Sequence, residues 1–111
     1  MTARLQAHVE IAAILKLAAS LGGFATVLAK GEQDAGTILL VTMSRGKSAR
    51  LFERMPQLDG TRSFVLTKEQ DVDDTGEFSE YLVRRSRQDP DTWIVEVDVE
   101  PEIQFVELLQ N

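Results

Sequence analysis

Asp89-Pro90-Asp91-Thr92-Trp93-Ile94-Val95-Glu96-Val97-Asp98-Val99 is the stretch that decides the fold of this chain. Trp93, Val95, Val97 and Val99 fall on one parity, whereas Glu96 and Asp98 fall on the other. This alternation is typical of a β-strand with one face in a core and the other face in water. The apolar face must therefore be covered by elements from the rest of the chain.

The segment before this strand is predicted to be a capped helix. Asp74 occupies the N-cap position and Glu77 follows three residues later, which is the capping-box arrangement with Asp in place of Ser or Thr. The helix is predicted to extend through Arg87, and Pro90 stops it. Pro101 ends the strand because proline cannot donate into a β-ladder. Residues 103–109 are too apolar for a free tail, but their pattern fits a strand and a helix equally.

The first half of the chain predicts a second helix and most of the strands. Apolar residues recur with helical spacing over residues 9–21, and Gly22-Gly23 supplies a left-handed exit. Residues 37–43 are apolar on both parities, as in a central strand covered on both faces. Arg45-Gly46 is predicted to form a hairpin turn. The other predicted strands span residues 24–30, 48–55 and 62–67, and a short opening strand is predicted over residues 3–8.

These elements predict a single α+β domain over residues 1–111, with an antiparallel sheet of about four to five strands and two helices. The two helices are expected to share one sheet face, or the other face is expected to pack against a second subunit. A chain of 111 residues with 43% hydrophobic content is near the commonest domain size and can build a core.

The composition of the chain argues against some classes of partner and favours one kind of cellular compartment. The net charge of −6 disfavours nucleic-acid binding, which needs a basic surface. The apolar stretch over residues 9–21 is too short to span a membrane and is interrupted by Glu10 and Lys16. The chain has no cysteine, which fits a reducing compartment. These features predict a soluble cytoplasmic protein without nucleic-acid or membrane partners.

The sequence contains no recognisable catalytic constellation. It has no cysteine, its one histidine has no evident partner, and no serine lies in a G-x-S-x-G elbow. The favoured interpretation is a non-enzymatic protein-interaction module that acts through protein contacts, with self-association to a homodimer as one form. No cofactor is predicted.

A second interpretation is a small enzyme or a binder of anionic ligands. It would use a surface pocket that combines guanidinium groups with aromatic rings. The candidate lining residues are Arg50, Phe52, Arg54, Tyr81 and Arg85.

The acidic segment from Asp71 to Gly76 is a weaker metal candidate. Asp71, Asp73 and Asp74 approximate the D-x-D-x-x-G opening of a calcium loop, in which carboxylates converge on a hard cation. The glutamate expected at the twelfth position is replaced by Leu82. The alternative is an acidic loop whose carboxylates stabilise the positive end of the following helix.

Two segments resemble a small bacterial family of uncharacterised proteins, a domain of unknown function. The first is Gly22-Gly23-Phe24-Ala25-Thr26-Val27-Leu28 with its Asp34-Ala35-Gly36 turn, and the second is Arg87-Gln88-Asp89-Pro90-Asp91-Thr92-Trp93-Ile94-Val95-Glu96. The resemblance covers nearly the whole chain. It implies one intact bacterial α+β domain and carries over no catalytic residues.

Overall fold

A computed structural model describes residues 6–56, 58–60 and 62–110 of the chain. The helices and strands, in chain order, are α1 (Ala7–Ser20), β1 (Phe24–Ala29), β2 (Ile38–Ser44), β3 (Lys47–Pro56), β4 (Arg62–Glu69), α2 (Thr75–Gln88), β5 (Trp93–Asp98) and α3 (Glu102–Gln110). The predicted α+β class and the five-stranded sheet are confirmed.

The strands form one sheet in the order β1-β5-β2-β3-β4. Three of its four strand pairs are antiparallel, and β2 pairs with β5 in parallel. β5 therefore lies inside the sheet, between the edge strand β1 and the central strand β2. The sheet is mostly antiparallel, as predicted, with this one parallel pair added.

One face of the sheet, here called the α1 face, is covered by α1 and α3. Trp93, Val95 and Val97 point to this face and pack with buried Ile14 of α1 and Phe105 of α3. The helical spacing predicted for residues 9–21 is confirmed, since Ile11, Ile14 and Ala18 are buried. Gly22 has a φ of 79°, which is the predicted left-handed exit from α1.

The opposite face, here called the α2 face, is partly covered by α2. Phe78 and Leu82 of α2 pack against Leu39, Leu51 and Ile94 of the sheet. The two predicted helices therefore lie on opposite faces, and the expectation that they share one face is wrong. The strand β5 also differs from its prediction. Its second face was expected to be exposed to solvent, but α2 buries Ile94 on that face.

The C-terminal tail forms the helix α3, which settles the choice between strand and helix that the sequence left open. Phe105 is completely buried, whereas Ile103 is 63% exposed. The opening strand predicted for residues 3–8 is wrong for Ala7 and His8, which belong to α1. Residues 3–5 of that prediction lie outside the described residues.

The β2–β3 hairpin turns at Arg45-Gly46, as predicted. Both residues have positive φ angles, 53° and 73°, which is the geometry of a tight turn that follows the sheet twist. The carboxylate of Asp98 accepts hydrogen bonds from the amides of Arg45 and Gly46, at 2.9 and 2.7 Å. This contact joins the hairpin to the end of β5.

The loop over residues 31–36 is fastened to the start of β5. The indole Nε1 of Trp93 donates to the carbonyl of Glu32 at 2.8 Å, and the amide of Trp93 donates to the carbonyl of Thr37 at 2.7 Å. Gly31 and Gly36 lie so close to the carbonyl of Asp91 that a side chain at either position would collide with backbone. Both glycines are therefore needed for the close approach of loop and strand.

Candidate functional site

The arginine and aromatic residues predicted to line one pocket lie on two faces of the sheet. Arg50, Phe52 and Arg54 alternate along β3 and reach the α1 face, where Phe52 packs on the core. Tyr81 and Arg85 lie on α2, where Tyr81 packs on the cluster of the α2 face. The sheet separates the two groups, so the structure does not bring the five side chains together.

Arg54 is held inside the α1 face. Its Nη1 donates to the Glu10 carboxylate of α1 at 2.6 Å, and its guanidinium lies 4.5 Å from the centroid of the Phe64 ring. The guanidinium thus joins α1 to β3 and β4.

Arg50 and Phe52 line a shallow depression beside α3, with a volume of about 240 Å³. Arg50 forms ion pairs with Glu69 at 3.7 Å and with Glu102 at 3.5 Å. Glu102 and Glu107 also line the depression. Two carboxylates against one guanidinium make this depression a poor match for an anionic ligand.

On the α2 face, Arg85 is the centre of a polar network. Its Nη2 donates to the Glu53 carboxylate at 2.8 Å, and its Nη1 donates to the hydroxyl of Tyr81 at 3.0 Å. The hydroxyl of Thr67 donates to the other Glu53 oxygen at 2.6 Å. Lys68 lies 4.8 Å from the centroid of the Tyr81 ring. The network fastens α2 to β3 and β4.

Burial of Glu53 raises the pKa of its carboxyl, but the hydrogen bonds from Arg85 and Thr67 outweigh burial and leave this pKa below its ordinary value of 4.5. The same ion pair raises the pKa of the Arg85 guanidinium, so the guanidinium stays charged throughout the accessible range. Glu53 and Arg85 therefore act as a fixed ion pair that attaches α2 to the sheet.

The lowered pKa of Glu53 predicts a pH-dependent part of the stability. A carboxyl whose pKa is lower in the folded state stabilises the fold above its unfolded pKa, and this contribution is lost as pH falls through the folded pKa. We therefore expect the stability advantage of the wild type over Glu53→Gln to be constant near pH 7 and to shrink below about pH 4.5. Urea unfolding at a series of pH values measures it.

Glu80→Gln is the matched control for this pH series, because Glu80 lies at an exposed position of α2. It measures the effect on stability of removing one carboxylate charge from the surface of the same helix. An advantage over Glu53→Gln that grows as the pH falls would contradict the assigned direction.

The acidic segment before α2 uses its carboxylates on backbone amides. Asp71 Oδ1 accepts from the amide of Asp73 at 2.9 Å. Asp74 Oδ1 accepts from the amide of Glu77 at 3.3 Å, which confirms the predicted N-cap. Among the described residues, no group of three or more His, Cys, Asp or Glu side chains is arranged to hold a metal ion.

A groove on the α2 face, here called the α2 groove, is lined by residues of α2 and of the sheet. It has a volume of about 470 Å³ and lies between α2 and the strands β1, β5 and β2. Its lining is mostly apolar and consists of Leu28, Ala29, Val41, Met43, Ala49, Gln70, Phe78, Ser79, Leu82, Val83, Ser86, Arg87, Ile94 and Glu96. The groove exists because α2 packs over β2, β3 and β5 and leaves the β1 side of this face open.

Two exposed apolar side chains mark the open side of the α2 groove. Val83 of α2 is 49% exposed and Leu28 of β1 is 48% exposed. Phe24, on the same strand and the same parity as Leu28, is 79% exposed. The sequence predicted the strand and the helix that carry these residues, but it did not show which apolar side chains the packing leaves uncovered.

In the described part of the chain, no helix is both long enough and apolar enough to cross a lipid bilayer.

Comparisons with known proteins place this geometry in a family. The model of a protein family of unknown function, DUF1491, matches residues 5–107. A crystal structure of a DUF1491 family protein from Caulobacter crescentus is 33% identical, with a TM-score of 0.71 over 86% of this chain and 88% of that chain. An NMR structure of a DUF1491 family protein from the same bacterium is 30% identical, with a TM-score of 0.77. The match covers 95% of this chain and 94% of that chain.

The fold recurs at lower identity. The solution structure of protein Atu0922 from A. tumefaciens has a TM-score of 0.74 at 24% identity and covers 98% of both chains. A comparison with curated proteins finds no match. The resemblance read from the sequence is thus confirmed at the level of a family of unknown function with bacterial structural homologues.

Proposed function

This chain belongs to the DUF1491 family of proteins of unknown function, and we propose from its own geometry that it is a non-enzymatic protein-interaction module. The observation that supports the proposal is the α2 groove, an open apolar channel beside a helix that covers only part of its sheet face. Exposed apolar grooves of this kind are typical of surfaces that receive another polypeptide.

The lining of the α2 groove defines the chemistry of its partner. The charged residues among its described lining are Arg87 and Glu96, one of each sign, so this lining carries no net charge. Val83, Leu28 and Met43 offer apolar contact along its length. The expected occupant is therefore an apolar segment of a partner protein that inserts two or three aliphatic or aromatic side chains.

The proposal is tested with the variant Val83→Asp, which places a carboxylate in the α2 groove at a position that is already half exposed. Tagged wild-type and variant proteins are expressed in the native cells, cross-linked and purified, and the retained proteins are quantified by mass spectrometry. We expect at least a tenfold loss of the specific partner from Val83→Asp, since about 1.4 kcal/mol of lost binding free energy gives that factor.

Leu58→Asp is the matched control, because Leu58 is an exposed apolar residue outside the α2 groove. It should retain the partner at the wild-type level. If the wild type retains no more of the partner than Val83→Asp does, the proposal is contradicted.

A second candidate function is the binding of a small apolar ligand in the same groove. Its volume of about 470 Å³ falls in the ordinary range of ligand pockets, about 300–1,000 Å³. The probe is decanoate, which has a flexible apolar chain, and the measurement is the melting temperature. A ligand that binds only the folded state raises the melting temperature. This candidate requires a concentration-dependent rise for the wild type that is absent in Val83→Asp.

A further inference from the structure

Within the part of the chain that the structure describes, nothing pairs with the outer side of the edge strand β1. It is the first strand in the order β1-β5-β2-β3-β4, and β5 is its one partner among the described strands. Its six residues, Phe-Ala-Thr-Val-Leu-Ala, include no charge and no proline. In an antiparallel edge strand, alternate residues direct their backbone N–H and C=O groups away from the sheet. β1 is therefore a strand that is open to further pairing.

The opposite edge strand, β4, is blocked. The side-chain amide of Gln110, at the end of α3, donates to the carbonyl of Phe64 at 2.7 Å and accepts from the amide of Phe64 at 3.0 Å. This pair of bonds occupies the backbone groups that a neighbouring strand would use near the start of β4. Lys68 and Glu69 add charges near its end. Charged side chains, covered backbone groups and β-bulges are the usual means of preventing edge pairing. Among the described residues β1 lacks the first two, and its register shift against β5 lies near its end, between Val27 and Ala29.

The side chains of β1 are self-complementary in one register. Residues that lie opposite each other in a sheet point to the same face, so two copies of β1 pair antiparallel around a twofold axis through a single residue. An axis at Thr26 places Phe24 of each copy opposite Leu28 of the other. These are the two large apolar side chains of β1 on the α2 face, 79% and 48% exposed. Because of the twofold symmetry, the dimer would contain this contact between Phe24 and Leu28 twice.

Charges at the ends of β1 fit the same register. Lys30 of each copy would lie opposite Gly22 of the other. Gly22 borders a depression that two carboxylates, Asp98 and Glu100, line together with the guanidinium of Arg45. The depression carries a net negative charge, so the register brings opposite charges together at both ends of the strand pair.

We propose that the partner of the β1 edge is a second copy of this chain, paired antiparallel through β1 with Thr26 on the twofold axis. The two sheets join into one continuous ten-stranded sheet. The twofold axis is perpendicular to that sheet, so both α2 grooves lie on the same face, with Leu28 of each copy between its own groove and the interface. The proposal specifies the homodimer that the sequence analysis gives as one form of an interaction module, and it is independent of the occupant of the α2 groove.

Because the chain has no cysteine, single cysteines test the register directly. Opposite residues in an antiparallel pair have Cα atoms about 4.5–5.5 Å apart, within the range that a disulfide bridges. Under mild oxidation Thr26→Cys should form a covalent dimer at least tenfold faster than Phe24→Cys or Leu28→Cys alone. An equimolar mixture of Phe24→Cys and Leu28→Cys should cross-link at the Thr26→Cys rate.

Val65→Cys on β4 is the control for chance collision, because Val65 is exposed on the opposite edge strand. Cross-linking of Thr26→Cys no faster than Val65→Cys would overturn the proposal. Faster cross-linking of Phe24→Cys alone would overturn the register.

Light scattering on the unmodified chain provides a second readout that does not depend on cysteine chemistry. The wild type should elute with twice the mass of the chain, and Thr26→Lys, which places two ammonium groups at the axis, should dissociate at least tenfold more readily while its circular dichroism stays native. A monomeric wild type at millimolar concentration, or an unchanged dimer in Thr26→Lys, would overturn the proposal. Val83→Asp should leave the dimer intact, so the groove and the β1 edge are tested separately.

Discussion

Replacing Trp93 with alanine is expected to lower the free energy of unfolding by about 3–5 kcal/mol, the usual cost of removing a large aromatic side chain from a core. Trp93 is only 5% exposed and packs in the cluster of the α1 face. Its indole also donates to the carbonyl of Glu32, which fastens the loop over residues 31–36 to the start of β5. The substitution therefore removes both core volume and the attachment of the loop.

Trp93→Phe separates these two contributions. Phenylalanine retains much of the buried ring but cannot donate to Glu32, so we expect a loss of about 1–3 kcal/mol from the unsatisfied carbonyl and the reduced volume. Urea unfolding, followed by circular dichroism, measures both variants. A Trp93→Ala variant within 1 kcal/mol of the wild type would contradict the assigned burial of β5.

The second large effect is expected at Phe105, in α3. Phe105 is fully buried between α3 and the sheet, and Phe105→Ala should cost about 3–5 kcal/mol through the lost burial and the cavity that remains. Ile103 lies half a helical turn away on the same helix and is 63% exposed. Ile103→Ala should therefore change stability by less than about 0.5 kcal/mol.

The ratio of these two effects distinguishes a helix from a strand in the tail. In a strand, residues 103 and 105 would point to the same face and would contribute similarly. Urea unfolding of both variants gives the ratio. Comparable losses at Ile103 and Phe105 would contradict the α3 assignment.

The local elements were predictable because each has a local cause. The alternation from Trp93 to Val99 places β5, the spacing over residues 9–21 places α1, and Asp74 with Glu77 marks the start of α2. The hairpin at Arg45-Gly46 followed from the need for positive φ angles in a tight turn. In each case the signal and the structure lie within a few residues of each other.

What depends on the arrangement of the elements was not predictable. No pattern within β2 or β5 states that they pair in parallel, because the connection between them passes through β3, β4 and α2. The sequence pattern of α2 also does not indicate which face of the sheet this helix packs on. As a result the sequence grouped Arg50 and Arg54 with Arg85, whereas the sheet places them on opposite faces.

The α2 groove depends on the same arrangement. The sequence places Leu28 on a strand and Val83 on a helix, each with apolar neighbours. Their exposure arises from the position of α2 over β2, β3 and β5, which leaves the β1 side of the face uncovered. An uncovered surface of this kind is a property of tertiary packing and has no signal in the local pattern.

The most direct test of the interaction-module account is photo-crosslinking from the α2 groove in the native cells. A photoreactive phenylalanine analogue replaces Val83 in one variant and Leu58 in the other, and the adducts are separated by mass. If the chain is an interaction module, we expect a discrete polypeptide adduct from Val83 that is absent from Leu58. The same adducts from both positions, or none from Val83, would contradict it.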